Sequence, residues 1–492
     1  MSANSSSLAT RVMRGAVAML LLRWVTRVLG LVSVAITARL LTPDDFGVMG
    51  TASIVLRLFL NLSSSGGGEV LVRMKNLEPD HVHTVWTMRL LMSIPLALTL
   101  FLLSGPLSVW LHEPRVADVI KLVAFIPCFE ALASPGPTLL AREMNFTRLF
   151  YLRVAVKFIS VIATIVLAFV LRDYWALVLG QVSAALALIV VTHAFWPYLP
   201  RLTICRVHET GSYTFWSFWR NVAIYLADTI DEFMVRRTSG TELFAHYHAS
   251  RDLSRVFFTE LVAQAAMPLF SAYSKLQDQP QRLRSAVTVS LGASTILLSF
   301  ISLIIYASAD SLVRLILGPQ WHAAGPYLQF LALGVGAQTL ARMARNVYSA
   351  TDRQKLSFVV WCLRAAITGL SVAAGFAYGD ALLVVRLVAV SGIVMTLLEL
   401  WLVYRILGGR YPVVALYRSS AVAGLTMLLA LSLLPASLAA WPFLDLMAKG
   451  ALGASVYGLA LLLLWHATGR PQGPEHALLQ RLPARARKLL GA

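Results

Sequence analysis

Charge is scarce in this chain, and acid is scarcer still. Of 492 residues, 13% are Asp, Glu, Lys or Arg and 58% are hydrophobic, and 42 basic residues against 24 acidic ones leave a formal net charge of +18. No polar stretch is long enough for a large soluble domain. Apolar runs instead recur from end to end, each near the roughly twenty residues that cross about 30 Å of hydrocarbon as a helix. The three cysteines, Cys128, Cys205 and Cys362, are scattered, two in apolar runs and one between runs, so neither a disulfide framework nor a cysteine metal site is implied. His81 and His83, like His246 and His248, stand two apart and point to different sides of a helix, which is poor metal-ligand geometry. Walker loop, dinucleotide fingerprint and Ser-His-Asp order are all missing, and the glycines at 66 to 68 sit in no strand-to-helix context. Nothing therefore supports ATP-driven transport or a hydrolase.

What is present reads as a polytopic all-α membrane protein. The apolar runs predict about fourteen spans. They lie near residues 13 to 40, 46 to 71, 84 to 110, 116 to 140, 149 to 171, 174 to 198, 212 to 237, 242 to 272, 283 to 308, 323 to 350, 355 to 378, 381 to 405, 413 to 437 and 442 to 467. Basic residues gather in alternate loops, such as Arg73 with Lys75, Arg142 with Arg148, Arg201 with Arg206, Arg282 with Arg284, and Arg353 with Lys355. The loops between them hold Asp44 and Asp45, His112, Glu113 and Arg115, Arg172 and Asp173, Glu242, Asp310, Asp380 and Asp445. That is the positive-inside pattern, which with an even span count predicts both termini in the cytoplasm. It also turns the net charge away from a nucleic-acid reading, since the basic residues form no single patch. The polar first ten residues, followed by a long run interrupted by Arg23 and Arg27, do not fit a short cleavable signal.

The chain echoes itself. Aligning Phe46 with Phe244 also sets Met49 on Tyr247 and Arg57 on Arg255. Leu111 to Phe125 (LHEPRVADVIKLVAF) is similar to Ile316 to Phe330 (ILGPQWHAAGPYLQF), with Pro114 on Pro319. Two matches in the same order predict a duplicated six-helix unit. Residues 1 to 205 form the first lobe, 206 to 410 the second, 411 to 468 two accessory transmembrane helices, and 469 to 492 a basic tail. Parallel repeats of this kind bind substrate between the halves near the midplane, and the tail is expected along the anionic inner leaflet.

Four segments carry a family resemblance: Ala38 to Gly47 (ARLLTPDDFG), Asp231 with Gly240 nine residues later, Met267 to Ser274 (MPLFSAYS), and Leu317 to Leu331 (LGPQWHAAGPYLQFL). Together they resemble the polysaccharide-export flippases of the multidrug/oligosaccharidyl-lipid/polysaccharide superfamily over about residues 10 to 410. The resemblance implies a bacterial inner-membrane carrier with about fourteen helices in two pseudo-symmetric lobes. It also implies alternating access around a cationic cavity that moves undecaprenyl-diphosphate-linked oligosaccharide, in contact with membrane lipids and with the polysaccharide polymerase machinery. The chain departs from the family at Ala245, where glycine is usual, at Arg236, and at residues 63 to 69 (SSSGGGE).

Under that resemblance the arginines come first. A diphosphate needs positive charge that persists in a dry cavity, and the guanidinium keeps its charge and binds phosphate oxygens bidentately. Arg23 and Arg27 are spaced i, i+4 on the first span, Arg251 and Arg255 likewise on the eighth, and Arg57 is the repeat mate of Arg255. These five and Arg89 are the candidate substrate-binding residues; the alternative is pairing with acids or snorkelling to an interface. Asp228 and Glu232 share one helix face with Asp231 beside them, and Glu260 lies deeper in the eighth span. These four are the candidates for coupling to H+ or Na+, against structural pairing with Arg236, Arg237 or Arg251. Glu69, Glu130 and Glu399 rank below them. Tyr213 to Trp219 (YTFWSFW) reads as an interface anchor or as a sugar-stacking platform. No catalytic residue, resident metal or organic cofactor is expected. Two rivals remain, a cation-coupled multidrug or metabolite antiporter, which should favour acids over arginines, and a membrane polymerase or ligase for lipid-linked sugars, which should need longer loops.

Overall fold

Proline and acid fix where several helices begin. Pro43, Pro79, Pro280 and Pro442 each open one, the position where a missing N–H costs nothing. Asp44 and Asp45 follow Pro43 in a first turn, where the helix dipole favours negative charge. Thr42 and Asp45 cap that helix reciprocally: the Thr42 hydroxyl accepts from the Asp45 N–H at 3.3 Å and Asp45 Oδ2 accepts from the Thr42 N–H at 2.9 Å.

The computed structural model describes residues 3–64, 71, 77–143, 145–198, 201–276, 279–350, 353–378, 381–408, 413–435 and 440–469; inside the helices, undescribed side chains fall chiefly at 3–20, Arg23, 208–218 and 259–272. The helices run α1 Ala3–Leu40, α2 Pro43–Ser64, α3 Pro79–Trp110, α4 Arg115–Val123, α5 Ile126–Leu132, α6 Gly136–Arg142, α7 Phe146–Leu171, α8 Trp175–Phe195, α9 Val207–Thr238 and α10 Thr241–Lys275. They continue with α11 Pro280–Ile316, α12 Ala324–Ala350, α13 Gln354–Ala377, α14 Ala381–Ile406, α15 Val413–Ser432 and α16 Pro442–Ala467. No strand occurs among the described residues. Eight helices among those residues are long and apolar enough to cross a membrane, including α2, α3, α7, α8, α11 and α14. The chain is an all-helical membrane protein. Its exposed side chains agree, with Leu102, Val109, Val170 and Leu463 open where lipid would lie.

One predicted span is not a single helix. Residues 116 to 140 fold as the end-to-end short helices α4, α5 and α6, interrupted before Pro127 and around Pro135 and Pro137. α4 is amphipathic: Val116, Val119, Ile120 and Val123 are buried while Asp118 and Lys121 pair on the other face at 2.8 Å. In the matching echo, α12 is continuous over Ala324–Ala350.

Contacts divide the chain into two units, Met1–Ala245 and His246–Ala492, so the boundary falls inside α10, about forty residues beyond the repeat boundary read from the sequence. The reason is local: α9, the first helix of the second repeat, packs on α2 of the first. In the first unit α1 packs on α7 and α7 on α8. In the second, α12 packs on α11 and α14, and the pair α15 and α16 packs on α11. Asp445, in the first turn of α16, accepts from Ser311 of α11 at 2.5 Å and from Lys449 at 2.8 Å, while the Tyr457 hydroxyl donates to the Ile296 carbonyl at 2.9 Å.

Candidate functional site

The face of α9 that meets α2 is a polar stripe. Tyr225, Thr229, Glu232 and Arg236 recur at i, i+4, i+7 and i+11, and all four are buried. The Tyr225 hydroxyl donates to the Ile54 carbonyl of α2, Arg57 Nη2 reaches Glu232 Oε2 at 2.5 Å, and Arg236 Nε donates to Thr51 Oγ1 at 2.6 Å. Glu232 is fully enclosed, whereas the Arg57 side chain stays 31% exposed. Thirteen residues, about 20 Å of helix, separate Arg57 from Asp44 at the start of α2, which is mid-membrane depth.

Above that stripe a charge network gathers the ends of α2, α3, α9 and α10. Arg115 Nη1 holds Asp44 at 2.6 Å and its Nε holds Glu113 at 2.7 Å; Glu113 also accepts from Thr241 Oγ1 at 2.6 Å and lies 3.7 Å from Arg236. Burial pushes the Glu113 carboxyl up, but the Arg115 and Thr241 hydrogen bonds and the Arg115 and Arg236 charges outweigh it and hold the group below its usual value. Asp173 in the next turn goes the other way, raised by burial and by the Asp45 carboxylate, although the Tyr174 N–H counteracts. Gly47 belongs here by necessity, since a Cβ would stand 2.4 Å from the Thr241 carbonyl oxygen. The turns of the echo each carry a left-handed residue, one position apart in the alignment: His112 at φ 52° and Gly318 at φ 109°.

The second unit holds a closed cluster. Glu399 of α14 is fully buried; Arg364 of α13 takes its Oε1 and Arg345 of α12 its Oε2, each at 2.7 Å. Arg345 also lies over the Trp361 ring at 4.4 Å.

Among the residues singled out from the sequence, Arg57 and Glu232 come together. Asp231 is buried and Asp228 half-buried, and both are engaged by neighbouring groups. Arg251 is buried and engaged, and Arg255 approaches Asp252 at 4.0 Å on the same helix. Arg89 of α3 donates to the Glu130 carbonyl at 3.1 Å. Arg27 is half-buried, with Lys157 of α7 in electrostatic reach. The Arg23 and Glu260 side chains, Glu69, the rings of Tyr213 to Phe218 and the tail from 470 lie outside the described residues; Trp219 is exposed. His246 packs edge-on against buried Trp321 and His248 sits 3.6 Å from Asp252. Sequence reasoning missed the roles of Glu113, Arg345, Arg364 and Lys157. The signal was available for the last three, because each is a cation inside an apolar run.

Residues 36–326 match the family described as Polysaccharide biosynthesis protein. The chain belongs to that family. The succinoglycan biosynthesis transport protein ExoT of Rhizobium meliloti (strain 1021) is 24% identical over 467 residues, 93% of this chain and 92% of that one. The lipopolysaccharide biosynthesis protein WzxC of Escherichia coli (strain K12) is 20% identical over 339 residues, covering 67% and 68%. Among solved structures, the lipid II flippase MurJ in its inward closed conformation shares the fold at a TM-score of 0.70 and 12% identity, covering 93% of this chain and 99% of that one. An inward-facing multidrug resistance MATE family transporter of the MOP superfamily matches at 0.54, covering 82% and 96%. Family and fold thus make the chain a multi-pass membrane protein of the polysaccharide biosynthesis family.

Proposed function

We propose that this protein is a flippase that carries undecaprenyl-diphosphate-linked oligosaccharide repeat units across the bacterial inner membrane, by alternating access. The observation that carries the reading is Arg57: a guanidinium at mid-membrane depth that pairs with the enclosed Glu232 while its side chain stays 31% exposed. Such a group persists in a membrane interior when it has an anion to meet, and a diphosphate suits its planar fork. Arg23, Arg27, Arg251, Arg255 and Arg89 are the further candidates for holding the diphosphate. An apolar recess of about 380 Å³ between α11, α12 and α16, lined by Ile296, Leu297, Phe300, Met343 and Leu461, offers the polyprenyl chain a place out of water. Asp228, Asp231, Glu232 and Glu260 are the groups through which an H+ or Na+ gradient would give direction, since a carrier with equal affinity for both states shifts nothing. Both termini would face the cytoplasm, and the polymerase machinery would receive the product outside. Deleting the gene and extracting the membrane lipids tests this reading. Diphosphate-linked repeat units should accumulate and exported polymer should disappear, whereas normal polymer with no accumulated intermediate contradicts it.

A further inference from the structure

Lys157 is an ammonium in a place where ammonium groups are rare. It lies eleven residues into α7 and fourteen from its end, so about 16 and 21 Å of helix separate it from the two termini, too far for the side chain to snorkel out. α7 contains the most apolar of the candidate spans, at a mean hydropathy of 2.7, and exposes Phe158, Ile162, Val166 and Phe169. Lys157 is on the other side of the helix, in a stripe with buried Val161 and Ala168 at i, i+4 and i+11.

That stripe faces α1. A Cβ built on Gly30 would come 3.9 Å from Lys157 Nζ, and the Arg27 charge acts directly on the ammonium. The ends of α1 and α7 pack through Leu41 and Ala168, with Phe46 of α2 in the same cluster. Counting from those residues, Arg27, Lys157 and Arg57 lie eleven to fourteen positions down, about 16 to 21 Å, so the three cations occupy one depth. Lys157 has no hydrogen-bond or ion-pair partner among the described residues. Two cations side by side inside a membrane repel, and one of them unpaired is a standing cost that an anion would remove.

We propose that Lys157 and Arg27 form an anion-binding position between α1 and α7 that takes an oxyanion carried by the transported lipid-linked sugar; it rests on the flippase reading and deepens it. Arg27 offers the planar fork and Lys157 a compact ammonium with three donors, a pair that accommodates a phosphate or a carboxylate. The oxyanion is either the diphosphate itself or an acidic group on the sugar.

Purified full-length protein in detergent, titrated separately with farnesyl diphosphate and with glucuronate, tests the assignment and separates the two sources. Lys157→Gln should weaken one of the probes by about tenfold or more, and Lys157→Arg should restore it to within about threefold. Loss confined to farnesyl diphosphate identifies the diphosphate; loss confined to glucuronate identifies the sugar acid. Without a probe, Lys157→Gln should unfold at a higher temperature than the wild type, because an unpaired charge has been removed; a lysine with a structural partner would give the opposite sign. Unchanged affinity for both probes in Lys157→Gln, or no binding of either by the wild type, overturns the proposal. The flippase reading fails on a different result, a deletion strain that accumulates no lipid-linked sugar.

Discussion

The two units handle buried charge in different ways. In the second, Glu399 is clamped by Arg345 and Arg364, whose side chains are only 10% and 7% exposed, and Trp361 covers one of them. In the first, Glu232 is as deeply enclosed, but its partner Arg57 is 31% exposed, and Lys157 beside Arg27 has no described acid at all. A cluster closed on itself holds helices together. A cluster that stays partly exposed is the one the proposed function draws on, and that contrast is what the variants below test.

The comparison breaks most easily at Glu399. Glu399→Gln should leave two buried arginines without their anion and cost about 3–5 kcal/mol, read as a lower unfolding temperature and poor accumulation in the membrane. Replacing Arg345, Arg364 and Glu399 together by Met or Leu should recover most of that stability with transport retained, whereas loss of transport by a well-folded triple variant would move this cluster to the functional side. Arg57→Ala should cost about 2–5 kcal/mol of substrate binding, thirtyfold or more, and stop export while the protein still reaches the membrane. A complementation assay for polymer output, with membrane levels measured beside it, checks the split.

Smaller effects sharpen the same contrast at the surface. Glu113→Gln should cost about 1–3 kcal/mol of stability through the lost Arg115 and Thr241 bonds. Because Glu113 is held below its usual value, its contribution is present above the unfolded-state value and is lost as pH falls through the folded one. Thermal unfolding should therefore come earlier in acid, and Glu113→Gln should flatten that part of the profile. Lys121→Ala, at an exposed i, i+3 pair, should change stability by no more than about 0.5 kcal/mol.

Much of the fold could be read in advance because membrane helices announce themselves by length and apolarity. Most of the expected spans coincide with helices, and the echo of Phe46 with Phe244 and of Pro114 with Pro319 is a feature of the sequence. The broken region 116 to 140 was misread because overall apolarity hid two other signals: three prolines, and a charged face at Asp118 and Lys121. The site was only half legible. Helical spacing placed Arg57 and Glu232 on faces, but which arginine meets which acid depends on helix packing. Glu232 is a coupling candidate in the sequence, with pairing to Arg236, Arg237 or Arg251 as the alternative, and the packing of α9 on α2 brings it to Arg57, an arginine outside that alternative. Arg236 serves a different acid, Glu113, and caps its own helix through the Ser239 carbonyl at 3.2 Å.

The most direct measurement is transbilayer movement in proteoliposomes that contain the purified protein and a fluorescent polyprenyl-diphosphate oligosaccharide on the inner leaflet. The account predicts that wild-type protein exposes the sugar to an external glycosidase, and that Arg57→Ala, equally well folded, leaves it protected. Equal exposure with and without the protein, or full movement by Arg57→Ala, would contradict it.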